Sequence, residues 1–137
     1  MRTLFQLEIG HTLEPISIRH VSPKWVKRYT EASKDFNLIH LDKEAAQNHG
    51  FDEPIVHGML TMGLASRIIS PYINAHILIQ QMNATFRAPL LVGEGVELTG
   101  VIKEKTAGEV KVEVTGTSSS EIRVIQGEIV VKNKETV

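Results

Sequence analysis

Residues 35–42 read Asp35-Phe36-Asn37-Leu38-Ile39-His40-Leu41-Asp42. An acid and an imidazole five residues apart, in a loop leaving a helix, can converge on one small volume. Each can accept or donate a proton, and a water held between them is what adding or removing water across a double bond requires. Taken alone the motif is weak, and it reads first as a turn in which Asp35 and Asn37 bond to nearby backbone. A second segment, Pro54-Ile55-Val56-His57-Gly58-Met59, stands directly before an apolar helical stretch. Glycine at a buried helix start lets a ligand approach the backbone, where free N–H groups and the helix dipole favour developing negative charge. A thioester carbonyl turning enolate-like would be stabilised there as in an oxyanion hole. The simpler role for Gly58 is close packing of helix on sheet.

Other polar residues carry less signal. Ser66 lies eight residues beyond Gly58, on the same helix face, and either reaches the site or bonds a carbonyl one turn back. His57 is expected to be structural, bonded to backbone at the helix entrance. His11, His20, His49 and His76 have no partner pattern and read as surface or turn residues. Asp35, His40, Asp42 and His57 are metal ligands by type, but no helical His-x-x-x-His or His-x-x-Glu pair accompanies them, so no metal is expected.

These residues need elements to hold them. Ser22-Pro23 is an N-cap followed by proline at the first helical position. Trp25, Val26, Tyr29 and Ala32 then recur at helical spacing, which predicts an amphipathic helix from Lys24 to about Ser33. Asp42 caps a short helix over Lys43–Asn48, with Gly50 just beyond its end. Gly58 to Ser70 is apolar or small almost all round, a helix of ~20 Å that the rest of the domain must enclose, ended by Pro71. Phe5/Leu7/Ile9 and Ile16/Ile18 alternate as one or two edge strands. Ile77/Ile79, Val96/Leu98/Ile102, Val110/Val112/Val114, Ile122/Val124 and Ile129/Val131 alternate as longer strands. Thr106-Ala107-Gly108 and Gly116 to Ser120 are the expected turns. Helical signals first and strands later give an α+β class, with an antiparallel sheet wrapped around a central helix: the hot-dog fold.

Composition narrows the function. The 137 residues suit one domain, 1–137, with a sizeable core. Zero Cys excludes a disulfide scaffold, a thiolate zinc site and a cysteine nucleophile. A formal net charge of −1 argues against nucleic-acid binding through a broad basic field. No apolar run spans a bilayer and no secretory signal is visible, so the expectation is a cytoplasmic protein without membrane partners.

Together the two motif segments resemble the MaoC-like dehydratases, the (R)-specific enoyl-CoA hydratase or hydratase 2 group. That family reads approximately [SA]-G-D-x-N-P-[IL]-H-x-D, then F-x-x-P-[IV]-[VA]-H-G-M. This chain has Ala32-Ser33-Lys34-Asp35-Phe36-Asn37-Leu38-Ile39-His40-Leu41-Asp42 and then Phe51 to Met59, with Phe86-Arg87-Ala88-Pro89 and Val92-Gly93-Glu94 also similar. Lys34 replaces the usual glycine and Leu38 the usual proline.

The resemblance implies Asp35 and His40 as the catalytic pair for syn addition of water to a trans-2-enoyl thioester, giving an (R)-3-hydroxyacyl thioester. It implies that Asn37 holds the loop or the water and that the Gly58 N–H binds the thioester oxygen. The substrate would be an acyl-CoA or acyl-carrier-protein thioester, with no cofactor. Arg67, Arg87 and Lys132 are conceivable phosphate contacts. Trp25/Tyr29 and Met59/Met62 are expected in the core, bordering an acyl tunnel. Exposed sheet edges, with the resemblance, imply a homodimer or higher homo-oligomer. A hot-dog thioesterase is the competing enzyme, though no Asp or Glu lies between Gly58 and Ser70 to activate water. A non-catalytic acyl-thioester-binding subunit is the third reading.

Overall fold

The computed structural model describes residues 2–134. Five strands form one antiparallel sheet: β1 (Ile16–Ile18), β2 (Ile77–Phe86), β3 (Val96–Lys105), β4 (Glu109–Ser118) and β5 (Arg123–Asn133). Their order is β1-β3-β4-β5-β2, so β1 and β2 are the edges. The central strand β4 alternates buried and half-buried residues along its whole length, with Val110, Val112 and Val114 on the core face. This is the period-2 pattern of a sheet with one face on a core.

Three helices precede the long strands: α1 (Pro23–Ser33), α2 (Lys43–Asn48) and α3 (Gly58–Ala65). The Ser22 hydroxyl accepts from the Trp25 N–H at 3.2 Å, and Asp42 Oδ2 accepts from the Ala45 N–H at 3.0 Å, so both expected caps form. Leu64, Ala65, Ile68 and Ile69 pack into the cluster that holds Leu98, Ile102, Val112 and Ile129. Each such leucine, isoleucine or valine side chain contributes roughly 1.5–3 kcal/mol by leaving water. Gly100 makes room for it, since a Cβ there would lie 2.7 Å from Ile68 Cγ2. The helix thus seats against the sheet, which is the hot-dog arrangement. No helix among the described residues is long and apolar enough to cross a membrane.

Several expectations are corrected. The strand at Phe5/Leu7/Ile9 is instead a 3₁₀ turn over Leu4–Gln6. Leu4 and Leu7 are the buried residues, three apart, while Ile9 is 62% exposed. The helix from Gly58 is α-helical only to Ala65 and continues as 3₁₀ turns at Ser66–Ile68 and Ser70–Tyr72, with Pro71 inside the second turn. Nor is α3 enclosed all round: Thr61, Leu64 and Ala65 are buried, but Met59 is 62% exposed. On α1 the inward stripe is Val26 and Thr30, with Tyr29 half-buried, whereas Trp25 and Ala32 face out. The turn placed at Gly116–Ser120 begins later, because β4 runs through Ser118 and the chain reverses over residues 119–122. Opposite Gly116 and Thr117, β5 carries one extra residue, Val124, so Val124 and Ile125 are both buried. The hairpin at Thr106–Gly108 stands as expected, closed by the Thr106 N–H on the Glu109 carbonyl at 2.8 Å.

Candidate active site

Asp35 is delivered by the end of α1. Lys34 has φ 64° and ψ 19°, the left-handed conformation, while its N–H still bonds the Thr30 carbonyl at 2.9 Å. That reversal turns the chain sharply out of the helix. The Asp35 N–H then donates to Ser33 Oγ at 3.2 Å, and Asp35 Oδ1 accepts from the Asn37 N–H at 3.3 Å. Asn37 Oδ1 accepts from the Ile39 N–H at 3.2 Å, capping the 3₁₀ turn Leu38–His40. So Asn37 holds the loop, and the turn reading of Asp35 is true of one of its oxygens.

The other oxygen faces His40, with Oδ2 3.7 Å from Nε2. Asp35 is half exposed; His40 is buried. The His40 Nδ1–H donates to the Ile55 carbonyl at 2.7 Å, and the Ile55 N–H returns to the Ile39 carbonyl at 3.0 Å. A carbonyl only accepts, so Nδ1 carries a proton, and whenever the ring is neutral Nε2 presents its lone pair toward Asp35. The 3.7 Å separation is too long for a direct hydrogen bond and short enough for one water to touch both atoms.

His57 joins this pair, which sequence reasoning missed. Its ring stacks on His40, centroids 3.8 Å apart at 23°, and meets the edge of Tyr29 at 4.7 Å. Nε2 lies 3.1 Å from the buried Thr30 hydroxyl, and Nδ1 is buried without a hydrogen-bond partner. The side-chain bond to Thr30 was not expected, and the backbone carbonyl acting on this ring is that of Asp35, not one at the start of α3. Burial lowers the His57 pKa below 6.5, the charge of His40 lowers it further, and the Asp35 backbone carbonyl and carboxylate oppose both. The available signal was the helical spacing Val26–Thr30, which puts a small polar residue on an inward face.

Asp35, His40 and His57 each offer one ligating atom, all within 4.8 Å of one another. The donor types suit a cation. Stacking, however, holds the two rings nearly parallel, so their in-plane lone pairs do not converge at the ~2.0–2.1 Å a zinc ion requires of both. Asp42 is occupied as the cap of α2.

Gly58 is the first residue of α3, and no side chain caps this helix end. It opens on a cleft of about 370 Å³ lined by Phe51, Ile55, Thr61, Phe86 and Arg87 among others. The Phe86 ring stands beside it, 3.1 Å from where a Cβ would lie, so a side chain there would push the ring aside by a few tenths of an ångström. His40 lines a second cleft of about 490 Å³, with Lys27, Lys43, Glu53 and Val92. Neither Asp35 nor His40 lines the Gly58 cleft. Ser66 stands at the far end of α3, ~12 Å along the axis from Gly58, with its hydroxyl donating to the Gly63 carbonyl at 2.6 Å. Of the two roles open to it, this is the bond to the preceding turn. Among the three phosphate candidates Arg87 lines the Gly58 cleft, held by Gln126 Oε1 at 3.3 Å.

An antiparallel sheet seated on one helix, with a carboxylate and an imidazole at the loop beside it, defines a hot-dog domain equipped for proton transfer. The chain belongs to the MaoC-like family, whose model, described as MaoC like domain, matches residues 5–123. It is 31% identical over 138 aligned residues to a 3-hydroxybutyryl-CoA dehydratase of Methylorubrum extorquens, covering 96% of this chain and 85% of that one. It is 33% identical over 105 residues, 77% of the chain, to a mitochondrial 3-hydroxyacyl-[acyl-carrier-protein] dehydratase of Arabidopsis thaliana. The match spans 60% of that relative's length and 53% of its counterpart from Solanum lycopersicum. The solved structure of an (R)-hydratase from Aeromonas caviae involved in PHA biosynthesis superimposes with a TM-score of 0.84 at 26% identity, covering 93% of this chain and 98% of that one.

Proposed function

We propose that this chain is a hydro-lyase that adds water to trans-2-enoyl thioesters of CoA or acyl-carrier protein, or runs the reverse dehydration of (R)-3-hydroxyacyl thioesters. The observation that carries this reading is the Asp35 Oδ2–His40 Nε2 pair, 3.7 Å apart, with His40 Nδ1 pinned to Ile55. Both atoms accept, so a single water donates one hydrogen to each. As the water oxygen bonds to C3, the C2=C3 π bond breaks, the pair takes one water proton and passes that same proton to C2 from the same face, and the pair ends as it began. Negative charge developing on the thioester oxygen is met by the Gly58 N–H and the positive end of α3. Asn37 keeps the loop in place, and the clefts at Gly58 and His40 admit the carrier. Curated relatives named as dehydratases and the Aeromonas (R)-hydratase support the class.

The working form in this reading is a homodimer of one-domain hot-dog units, in the cytoplasm; the Arabidopsis relative is named mitochondrial. Strand β2 is a free edge that carries exposed Leu78, Ile79 and Phe86, and Met59 protrudes from α3. A second copy would cover these apolar groups. Sedimentation at micromolar concentration tests this, and a monomer refutes it.

Purified protein is expected to hydrate crotonyl-CoA to the (R)-3-hydroxy product. Asp35→Asn and His40→Gln should each lower kcat by roughly 10²–10⁴. Full turnover in either variant refutes the pair. Release of free CoA without a hydration product points to a thioesterase, and binding without turnover to a non-catalytic subunit.

A further inference from the structure

We propose that His57 is a positioning residue for His40, its ring setting the plane in which Nε2 meets Asp35. The proposal rests on the hydratase reading for its kinetic consequence, though not for its geometry.

The Ile55 carbonyl holds His40 through one atom, Nδ1, at 2.7 Å. The ring turns about its Cβ–Cγ bond, and one hydrogen bond at Nδ1 leaves it a range of tilt that carries Nε2 off line with Asp35 Oδ2. A face contact removes that freedom, and His57 supplies it at 3.8 Å and 23°. His57 is itself only 2% exposed, wedged on the edge of Tyr29 and bonded to Thr30 Oγ1 at 3.1 Å. Tyr29 and Thr30 belong to α1, the helix whose end delivers Asp35. One helix therefore sets Asp35 through the chain and His40 through His57. The residue after His57 is Gly58, so the same side chain also anchors the start of α3.

The residue type matters as well as the shape. An unpaired buried nitrogen such as His57 Nδ1 is costly, and leucine in that place would avoid the cost. Imidazole supplies a flat face, a bond to Thr30 and, buried, an uncharged ring. A charged neighbour at stacking distance would oppose proton uptake by His40. Burial, the first cause, lowers the His57 pKa below its ordinary value, which favours the uncharged ring on the face of His40.

Three variants test this: His57→Leu, His57→Phe and Thr30→Val, each assayed with crotonyl-CoA and crystallised. In His57→Leu, kcat should fall about 10–100-fold with KM within threefold, as for a reacting group misplaced by about 1 Å. In the crystal the His40 ring should turn away, lengthening the distance to Asp35. His57→Phe keeps the face but loses the bond to Thr30, so its kcat should stand well above that of His57→Leu and about level with that of Thr30→Val. Thr30→Val removes only the anchoring bond and should lower kcat at least threefold at constant KM. Because the assay is referred to folded protein, a merely structural role would leave kcat and His40 unmoved. An unmoved His40 together with unchanged kcat in His57→Leu overturns the proposal. Should His57→Leu fail to fold, unchanged kcat and His40 geometry in Thr30→Val overturn it. A wild-type protein inert toward enoyl thioesters refutes the hydratase reading instead, and the His40 geometry in the variants still decides this one.

Discussion

Lys34 offers a quantitative test of how the loop is built. It stands in the left-handed region at φ 64°, where family members usually place glycine. An L-residue pays about 1–2 kcal/mol for that conformation. Lys34→Gly removes this strain but loosens the unfolded chain, a loss of about 0.4–1 kcal/mol. The balance is a gain centred on about 0.8 kcal/mol, within roughly 0–1.6. Unfolding entropy near 2.1 cal/mol/K per residue, over 137 residues, converts this to a rise in Tm of about 2–3 °C. Calorimetry at fixed protein concentration, with urea denaturation checking that the m-value is constant, reads the effect. Lys34→Ala is the control, because it shortens the side chain while keeping the Cβ that causes the strain, and it should leave Tm within about 1 °C. Turnover should be unchanged in Lys34→Gly, since the backbone route into Asp35 is the same. A lower Tm in Lys34→Gly, or an equal rise in Lys34→Ala, refutes the attribution to φ.

Gly127→Ala should collapse the pairing of β5 with β2, because its Cβ would overlap the Asn83 carbonyl oxygen and lie 2.9 Å from Ala84 Cα; a loss of about 3 kcal/mol, or insoluble protein, is expected in denaturation and expression trials. Gly58→Ala meets only the Phe86 ring, at 3.1 Å, a side chain able to shift, so the protein should stay folded by circular dichroism while hydration falls roughly 10-fold or more as the methyl crowds the N–H. The pH dependence follows from His57, whose folded pKa lies below its unfolded 6.5. Between those values the unfolded chain binds the extra proton, so the stability from a neutral His57 is complete above about pH 6.5 and is lost as pH falls toward the folded value. Thermal melts should therefore show Tm falling below pH 6.5, and His57→Phe should flatten that fall.

Helix starts were legible because they depend on neighbours in sequence. Ser22 with Pro23 and Asp42 with Ala45 act over three residues, and both caps form. The strands were legible wherever one face is buried, as in β4. What failed were places where a tertiary contact chooses between two local options. Leu4 and Leu7 bury with a spacing of three, and nothing in the Phe5/Leu7/Ile9 alternation announces that the core lies on that side. The hydrophobicity of α3 signalled burial correctly for Leu64 and Ala65. It gave no sign that Met59 would face out, because an exposed apolar residue and a core residue look alike in sequence.

The site shows a different limit. From sequence, Asp35 posed a choice between a turn residue and a reacting group, and the geometry makes the two compatible. Oδ1 belongs to the turn, through Asn37, and Oδ2 faces His40. The two uses support each other: the turn fixes the carboxylate plane, and the fixed plane aims the second oxygen. A motif judged weak because it doubles as a turn is thus stronger for doing so, since an unbonded aspartate in a half-exposed loop would hold no direction. This makes Asp35→Asn the informative substitution. Its amide oxygen can still accept from the Asn37 N–H, so the loop survives while the charge facing His40 is lost. Asp35→Ala removes both, and its deficit should exceed that of Asp35→Asn by whatever the turn contributes to aim.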